Sequence, residues 1–191
     1  MIAGAGILIR SLYVDLNAPK DLSGNAVDFA PGTTPDPSTV DQMQVQESTE
    51  RFKVPTVSLD VPLASLLEVN NTITPPGFTQ AYWVRNRGVA PVDAANGTVY
   101  VVSHSVAKGL APGNYLFDVA SGTSTVKAGD EIDVSNVKYI AQSWKTISKD
   151  QLAGESDLWT NEPGRLVLVT CLEEPDGSSP NNMVIIANIA A

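Results

Sequence analysis

Short runs rich in Val, Ile, Thr and aromatic residues recur along most of this chain, and residues that favour turns separate them. This composition is typical of strands, so we predict strands in the stretches that share it: 51–61, 79–85, 97–106, 113–120, 123–134, 137–147, 165–172 and 182–190. Asn96-Gly97, Ala128-Gly129-Asp130 and Asp176-Gly177 lie between them, and glycine accepts the positive φ of tight turns. We therefore predict an all-β domain of about eight strands, either a closed barrel or a sandwich.

Two segments have compositions that are more typical of helices. We predict short helices at 63–69 and at 148–156, the second capped by Ser148. The chain has no internal repeat, no phosphate-binding loop and no Gly-rich dinucleotide fingerprint. Because strands and helices do not alternate along the chain, the pattern argues against a Rossmann-type sheet.

The residues ahead of the predicted strands differ in composition from the rest. Residues 15–50 contain seven Asp and Glu, one Lys and four Pro, without a sustained period of 2 or 3.6. Such a segment cannot bury enough apolar surface to offset its ordering entropy, so we predict a solvated linker there and a folded domain over 51–191. The apolar segment 1–14 is too short to cross a membrane, and it is either a remnant of a signal anchor or a short helix or strand.

The charge balance and the scarcity of two residue types exclude several classes of function. The chain has 21 Asp and Glu against 12 Lys and Arg, which argues against nucleic-acid binding because phosphates need a basic face. A single cysteine excludes an intramolecular disulfide and any multi-thiolate metal site. A single histidine excludes a His-rich site, so nucleophilic chemistry with help from imidazole would have to use His104 and Cys171.

His104 and Cys171 each lie at the end of a predicted strand. Two strands that end side by side can hold a thiol and an imidazole in a fixed relation, as covalent catalysis requires. The thiolate is the nucleophile, and a neighbouring imidazolium stabilises it. The alternative is that Cys171 is a small buried hydrophobic residue and that His104 lies on the surface.

Two segments around this pair have distinctive sequences, Val-Tyr-Val-Val-Ser-His-Ser at 99–105 and Val-Leu-Val-Thr-Cys at 167–171. They resemble the sortases, cysteine transpeptidases that join surface proteins to the cell wall of Gram-positive bacteria. The strand 167–171, Val-Leu-Val-Thr-Cys, is similar to the family's Thr-Leu-x-Thr-Cys strand. Residues 99–105 are similar to the strand that leads to the family's catalytic histidine, with Ser103 in place of a glycine. Three further segments are similar to other parts of the family's domain, so the resemblance covers about residues 51–190: 52–63, 116–134 and 139–151.

The resemblance implies a closed sortase-like β-barrel of about eight strands with one or two short helices. It implies that Cys171 attacks the Thr–Gly carbonyl of an LPxTG-like sorting signal and forms a thioester. His104 would protonate the leaving amine and then help an incoming amine to resolve the acyl-enzyme. Thr170 would shape the pocket beside the nucleophile. We expect a housekeeping-type or unassigned sortase class, because no pilus-type lid is evident near the N-terminus.

The same resemblance implies partners and a location. The expected partners are peptide sorting signals of surface proteins and an amine acceptor on a peptidoglycan precursor or a pilin, with no nucleic acid. The expected location is extracytoplasmic and at the cell surface, with a membrane anchor if the native N-terminus is longer than this chain. No cofactor is implied, and the acids that would be needed for a calcium site have no defined ligand spacing: Glu68, Asp93, Asp130 and Glu131.

The chain departs from the family in one respect. Sortases carry an arginine at the start of the last strand, whereas residues 172–191 of this chain contain no Arg or Lys. Depending on the gap, Pro180, Asn181 or Asn182 would occupy that place. The amide of Asn182 could donate a hydrogen bond to an oxyanion, and Arg85 or Arg87 could reach over from the strand that precedes His104. Two alternatives therefore stay open. One is a catalytically weakened sortase-fold module that binds sorting signals or wall components without turnover, and the other is a generic β-barrel or adhesin domain.

Overall fold

The computed structural model describes residues 18–27 and 36–190, and strands predominate in it. Ten strands lie within these residues: β1 (Arg51–Val54), β2 (Leu59–Leu66), β3 (Ala81–Gly88), β4 (Thr98–Ser103), β5 (Phe117–Asp118), β6 (Thr123–Ser124), β7 (Glu131–Val134), β8 (Val137–Ser148), β9 (Arg165–Leu172) and β10 (Asn181–Ile189). Eight of them close a barrel in the order β1-β2-β3-β4-β9-β10-β8-β7, while β5 and β6 form a separate two-stranded ribbon. The predicted fold class, an all-β closed barrel of about eight strands, is confirmed.

The helices are short, and the barrel wall consists of strands alone. The described residues form two α-helices, α1 (Pro37–Met43) and α2 (Ser156–Trp159), and four short 3-10 turns at Pro55–Val57, Pro91–Asn96, Pro112–Tyr115 and Leu152–Gly154. Asp36 caps α1, because its side chain accepts a hydrogen bond from the backbone N–H of Ser38. None of these helices is long and apolar enough to cross a membrane, as far as the described residues extend.

The predicted helix at 63–69 is wrong. Residues Leu63 to Leu66 continue β2 and pair in parallel with Ala81 to Val84 of β3. A short apolar run is ambiguous between helix and strand, and the pairing with β3 supplies the interstrand hydrogen bonds that decide it. The second predicted helix, 148–156, forms only in part, as the turn Leu152–Gly154 followed by α2. Ser148 ends β8, and its hydroxyl donates to the side chain of Gln151.

β4 and β9 are buried on both faces. All six residues of β4 are buried, as are all residues of β9 except the half-buried Cys171. On the inner face, Val101 and Leu168 belong to the core that fills the barrel. On the outer face, Val102 and Val169 belong to a second core that includes Met43 of α1. Burial of each such aliphatic side chain contributes about 1.5 to 3 kcal/mol to the stability of the fold. The two paired strands therefore hold the residues at their ends in fixed positions.

Residues ahead of β1 pack against the barrel, so the expectation of a solvated linker is wrong for 18–27 and 36–50. Met43 is completely buried, and its carbonyl accepts a hydrogen bond from the N–H of Leu67. Asp21 is buried as well, and its carboxylate accepts from the N–H groups of Leu110 and Asn25. Met43 belongs to the outer core, and Val27 belongs to a separate small cluster with Phe78, Val106 and Ala111. Neither segment has a local periodicity that would reveal this packing. Residues 1–14 and the rest of that linker lie outside the described residues.

Replacing Met43 by Ala tests whether α1 is part of the folded unit. We expect Met43→Ala to lower the free energy of unfolding by about 2 to 4 kcal/mol, because it leaves a cavity in the outer core. Chemical denaturation of the full chain measures the loss. Gln42→Ala, at the exposed neighbouring position, is the matched control and is expected to change stability by less than about 0.5 kcal/mol. Equal stability of the two variants would contradict the packing of α1.

Candidate active site

The parallel pairing of β4 with β9 brings the histidine and the cysteine together. The register places Ser103 opposite Thr170, so His104 and Cys171 are the next residues on two adjacent strands. Neighbouring strands lie about 5 Å apart, which sets the two backbones side by side. Val102 and Val169, two residues earlier, both face the outer core, and side chains two residues apart on a strand share a face. His104 and Cys171 therefore project from the same side of the barrel.

Asn182 extends this row onto a third strand. In the antiparallel pairing of β9 with β10, Asn182 lies directly opposite Cys171. Asn182 is buried, and Val184, two residues on, belongs to the outer core, so its amide faces the same side as the thiol. The structure thus brings His104, Cys171 and Asn182 together on one face of the sheet.

Thr170 acts on the opposite face of β9. Its hydroxyl donates to the carbonyl of Ser103 at 3.0 Å and ties the ends of β4 and β9 together. Behind it, the N–H of Gly113 donates to the carbonyl of His104 at 2.7 Å. A Cβ at position 113 would overlap the Thr170 hydroxyl and the His104 carbonyl, so only glycine allows this close approach. These two hydrogen bonds hold the backbone of Ser103 and His104 in place from the inner side of the sheet.

The three side chains lie in a groove of about 1280 Å³ on the outer face of the barrel. The segment between β2 and β3 forms one wall, with residues 68–75 and Phe78. The segment between β8 and β9 forms another, with Lys149 and Trp159. Residues 105–108, parts of the loop after β9, and Ala26, Val27, Asp36 and Thr39 also line the groove. An extended polar and apolar lining of this kind suits a peptide-sized ligand.

The imidazole of His104 is held by the β2–β3 segment. Its Nε2 lies 2.6 Å from the carbonyl oxygen of Pro75, and the ring stacks on Phe78 with 4.6 Å between ring centroids. A carbonyl only accepts, so Nε2 carries a hydrogen and Nδ1 is the basic nitrogen of the neutral ring. Burial lowers the pKa of His104 to about 4, although the hydrogen bond to Pro75 acts to raise it, and the positive charge of Lys149 lowers it further. The ring is therefore neutral at pH 7.

Ser105 and Glu173 contact the segment around the cysteine, and no motif in the sequence indicated this contact. The hydroxyl of Ser105 lies 2.8 Å from the carbonyl oxygen of Cys171 and 2.9 Å from a carboxylate oxygen of Glu173. Glu173 is buried. Because Ser105 follows His104 directly, this contact joins the two strand ends a second time. Only the folded chain reveals it, since the two residues are distant in sequence.

Neither arginine considered from the sequence directs an unpaired charge into the groove. Arg85 is outside the groove, and its guanidinium donates to the carbonyl of Gln44. Arg87 lines the groove, but both its Nε and one terminal nitrogen lie 2.6 Å from carboxylate oxygens of Glu68. Its guanidinium also lies 4.4 Å from the centroid of the Trp159 ring. The Glu68 carboxylate raises the pKa of Arg87 above its ordinary value, so this ion pair stays charged.

The four acids considered for a calcium site are not gathered in space. Glu68 pairs with Arg87, Glu131 pairs with Lys138, and Asp130 accepts a hydrogen bond from the N–H of Lys127. Within residues 18–27 and 36–190, no group of three or more His, Cys, Asp or Glu side chains could hold a metal ion.

The low pKa of His104 predicts a loss of stability in mild acid. The unfolded chain binds a proton on this residue below about pH 6.5, whereas the folded chain does so only near pH 4. The free energy of unfolding must therefore decrease as the pH falls through this window, by about 2 kcal/mol at pH 5. We expect His104→Gln to lose less stability between pH 7 and pH 5 than the wild type, as measured by denaturant titration at each pH. The same pH dependence in both proteins would contradict an enclosed, neutral imidazole.

Comparisons with known proteins agree with this architecture. No protein-family model matches the chain, and no curated protein matches it in sequence. Solved structures do match. Sortase C-1 from Actinomyces oris superposes with a TM-score of 0.57 at 16% identity, over 86% of this chain and 90% of that chain. Sortase A from Listeria monocytogenes gives 0.55 at 18% identity, over 76% and 89%. Sortase A from Corynebacterium diphtheriae gives 0.55 at 14% identity, over 91% and 75%.

These likenesses concern the fold, since all three identities are below 20%. They extend over most of this chain and most of each matched chain. The sortase resemblance predicted from residues 51–190 is thus confirmed at the level of the structure: this chain has the fold of the sortases.

Proposed function

We propose that the protein is a sortase-type cysteine transpeptidase that cleaves an LPxTG-like sorting signal between Thr and Gly. One observation carries the proposal. The parallel register of β4 and β9 sets the only histidine and the only cysteine of the chain side by side at the base of an open groove. A thiol and an imidazole on rigid neighbouring strands are the components that covalent acyl transfer requires.

The reaction uses the two side chains in turn. Nδ1 of the neutral His104 ring accepts the proton of Cys171 as the sulfur attacks the Thr–Gly carbonyl carbon. The ring then gives this proton to the leaving glycine amine, and a thioester remains on Cys171. An incoming amine attacks the thioester and loses a proton to the ring, and the sulfur leaves with that proton. Because burial disfavours the charged ring, the imidazolium is short-lived in both halves of the reaction.

Asn182 and Thr170 support the reacting pair. The Asn182 amide, opposite Cys171 in the sheet, donates a hydrogen bond to the oxyanion that forms on the attacked carbonyl. Thr170 shapes the site by holding the ends of β4 and β9 in register. The partners are sorting signals of surface proteins and an amine of the cell wall or of a pilin. Such substrates place the protein outside the cytoplasm, at the cell surface.

A second candidate is a sortase-fold module that binds sorting signals without turnover. Two observations favour it. Residues 172–191 supply no Arg or Lys to the site, and burial keeps the His104 ring neutral at pH 7, so that no imidazolium stabilises a thiolate. Both would leave the thiol less activated than a typical catalytic cysteine.

Mass spectrometry with a panel of LPxTG-like peptides and a primary amine distinguishes the two candidates. For the enzyme, we expect a covalent acyl adduct on Cys171 and a transpeptidation product that joins the peptide to the amine. Cys171→Ala should abolish both signals, because no thioester can form. Peptide binding without adduct or product would support the binding module and refute the enzyme.

Replacing Asn182 tests its contribution to the oxyanion. We expect Asn182→Ala to lower kcat by about 100-fold with little change in KM, since the hydrogen bond strengthens only as charge develops. Asn181→Ala is the matched control, because the adjacent residue on β10 faces the other side of the sheet. Steady-state kinetics of both variants give the comparison. A similar kcat for Asn182→Ala and wild type would remove Asn182 from the mechanism.

A further inference from the structure

The attack of a thiol on a carbonyl creates negative charge at a place where few positive charges are available. Charge builds on the sulfur as it loses its proton and on the carbonyl oxygen as the tetrahedral intermediate forms. The Asn182 amide is a donor without a net charge. Arg87 is neutralised by Glu68, and Arg85 is turned towards Gln44. A cation for this site must therefore come from elsewhere in the groove.

Lys149 lies at the end of the same row of strands. Ile147 of β8 is opposite Asn182 of β10, which is itself opposite Cys171 of β9. The ladder continues past β8, because the N–H of Lys149 donates to the carbonyl of Pro180 at 3.0 Å. Lys149 lies in the turn that follows β8, two residues after Ile147, which belongs to the outer core. It lines the groove together with His104 and Cys171.

The ammonium group of Lys149 forms no ion pair with another described side chain. By contrast, Lys138 and Lys145 are paired with Glu131 and Glu155. Its field also reaches the reacting pair, because its positive charge lowers the pKa of His104. A charge that disfavours an imidazolium in this place favours an anion there for the same reason.

We propose that Lys149 supplies the positive charge of this active site, and that its ammonium stabilises the anionic sulfur of Cys171 and the oxyanion of the tetrahedral intermediate. The inference rests on the proposed function for its second part only, since the reactivity of the thiol can be measured without any peptide. Six other charged side chains line the groove: Asp36, Glu68, Arg87, Lys108, Glu173 and Asp176. Lys108 lies on the loop beyond His104, on the far side of the row from Lys149.

Alkylation of Cys171 by iodoacetamide, a neutral electrophile, tests the effect on the thiol. The rate is measured by mass spectrometry of the full chain between pH 5 and pH 10. We expect Lys149→Met to move the midpoint of the pH dependence upward and to lower the rate at pH 7 by about 3- to 10-fold. Lys149→Arg should keep the wild-type profile, because the charge remains. Lys127→Met, an exposed lysine outside the groove, is the matched control and should also keep it.

The outcomes separate this inference from the proposed function. An unchanged alkylation profile in Lys149→Met overturns the role of Lys149, even if the wild type turns over sorting-signal peptides. A shifted profile in a protein that turns over no peptide supports Lys149 and overturns the transpeptidase. Where turnover exists, kcat for Lys149→Met should fall and Lys149→Arg should restore it. A thermal unfolding midpoint equal to that of the wild type shows that the Met variant is folded, as expected for an exposed side chain. A wild-type thiol that resists alkylation at every pH would contradict its place in the groove.

Discussion

The parallel pairing of β4 with β9 is the constraint on which the site depends. It joins strands that are far apart in sequence, and its last pair, Ser103 with Thr170, sets the positions of His104 and Cys171. Side chains alternate between faces with a period of two, so a shift of the register by one residue would send one of the two into the barrel interior. The hydroxyl of Thr170 and the N–H of Gly113 hold this register from behind. The rigidity of the site is thus a property of the core beneath it.

The same burial has two opposing effects on the charges of the site. The apolar floor of the groove and the ring of Phe78 enclose the imidazole, and this burial keeps it neutral near pH 7. A low-dielectric site strengthens every interaction with the charges that develop during a reaction, but it also raises the cost of forming them. The charged side chains at the rim, Lys149 among them, therefore determine the electrostatic field in the groove. The paired strands fix the positions of His104 and Cys171, and the side chains at the rim of the groove carry the charges.

The sequence predicted those parts of the fold that depend on local patterns. The strand at 165–172 has the bounds of β9, and the last predicted strand differs from β10 by one residue at each end. The predictions failed where distant contacts decide. Residues 63–66 form a strand because β3 lies beside them, and Met43 is buried because the outer core has room for it. Neither contact leaves a periodic signal in the segment itself, so composition alone suggested a helix in one case and a linker in the other.

By itself, the sequence determined that the chain is rich in strands and that any thiol–imidazole chemistry must use His104 and Cys171, because it has no other residue of either type. It also placed both residues at strand ends. Only the tertiary structure decided that β4 and β9 are neighbours, that Asn182 lies opposite Cys171, and that Lys149 lines the same groove whereas Arg85 does not. The physical reason is that strand order and register are fixed by pairings and burial between distant segments, which no local pattern encodes.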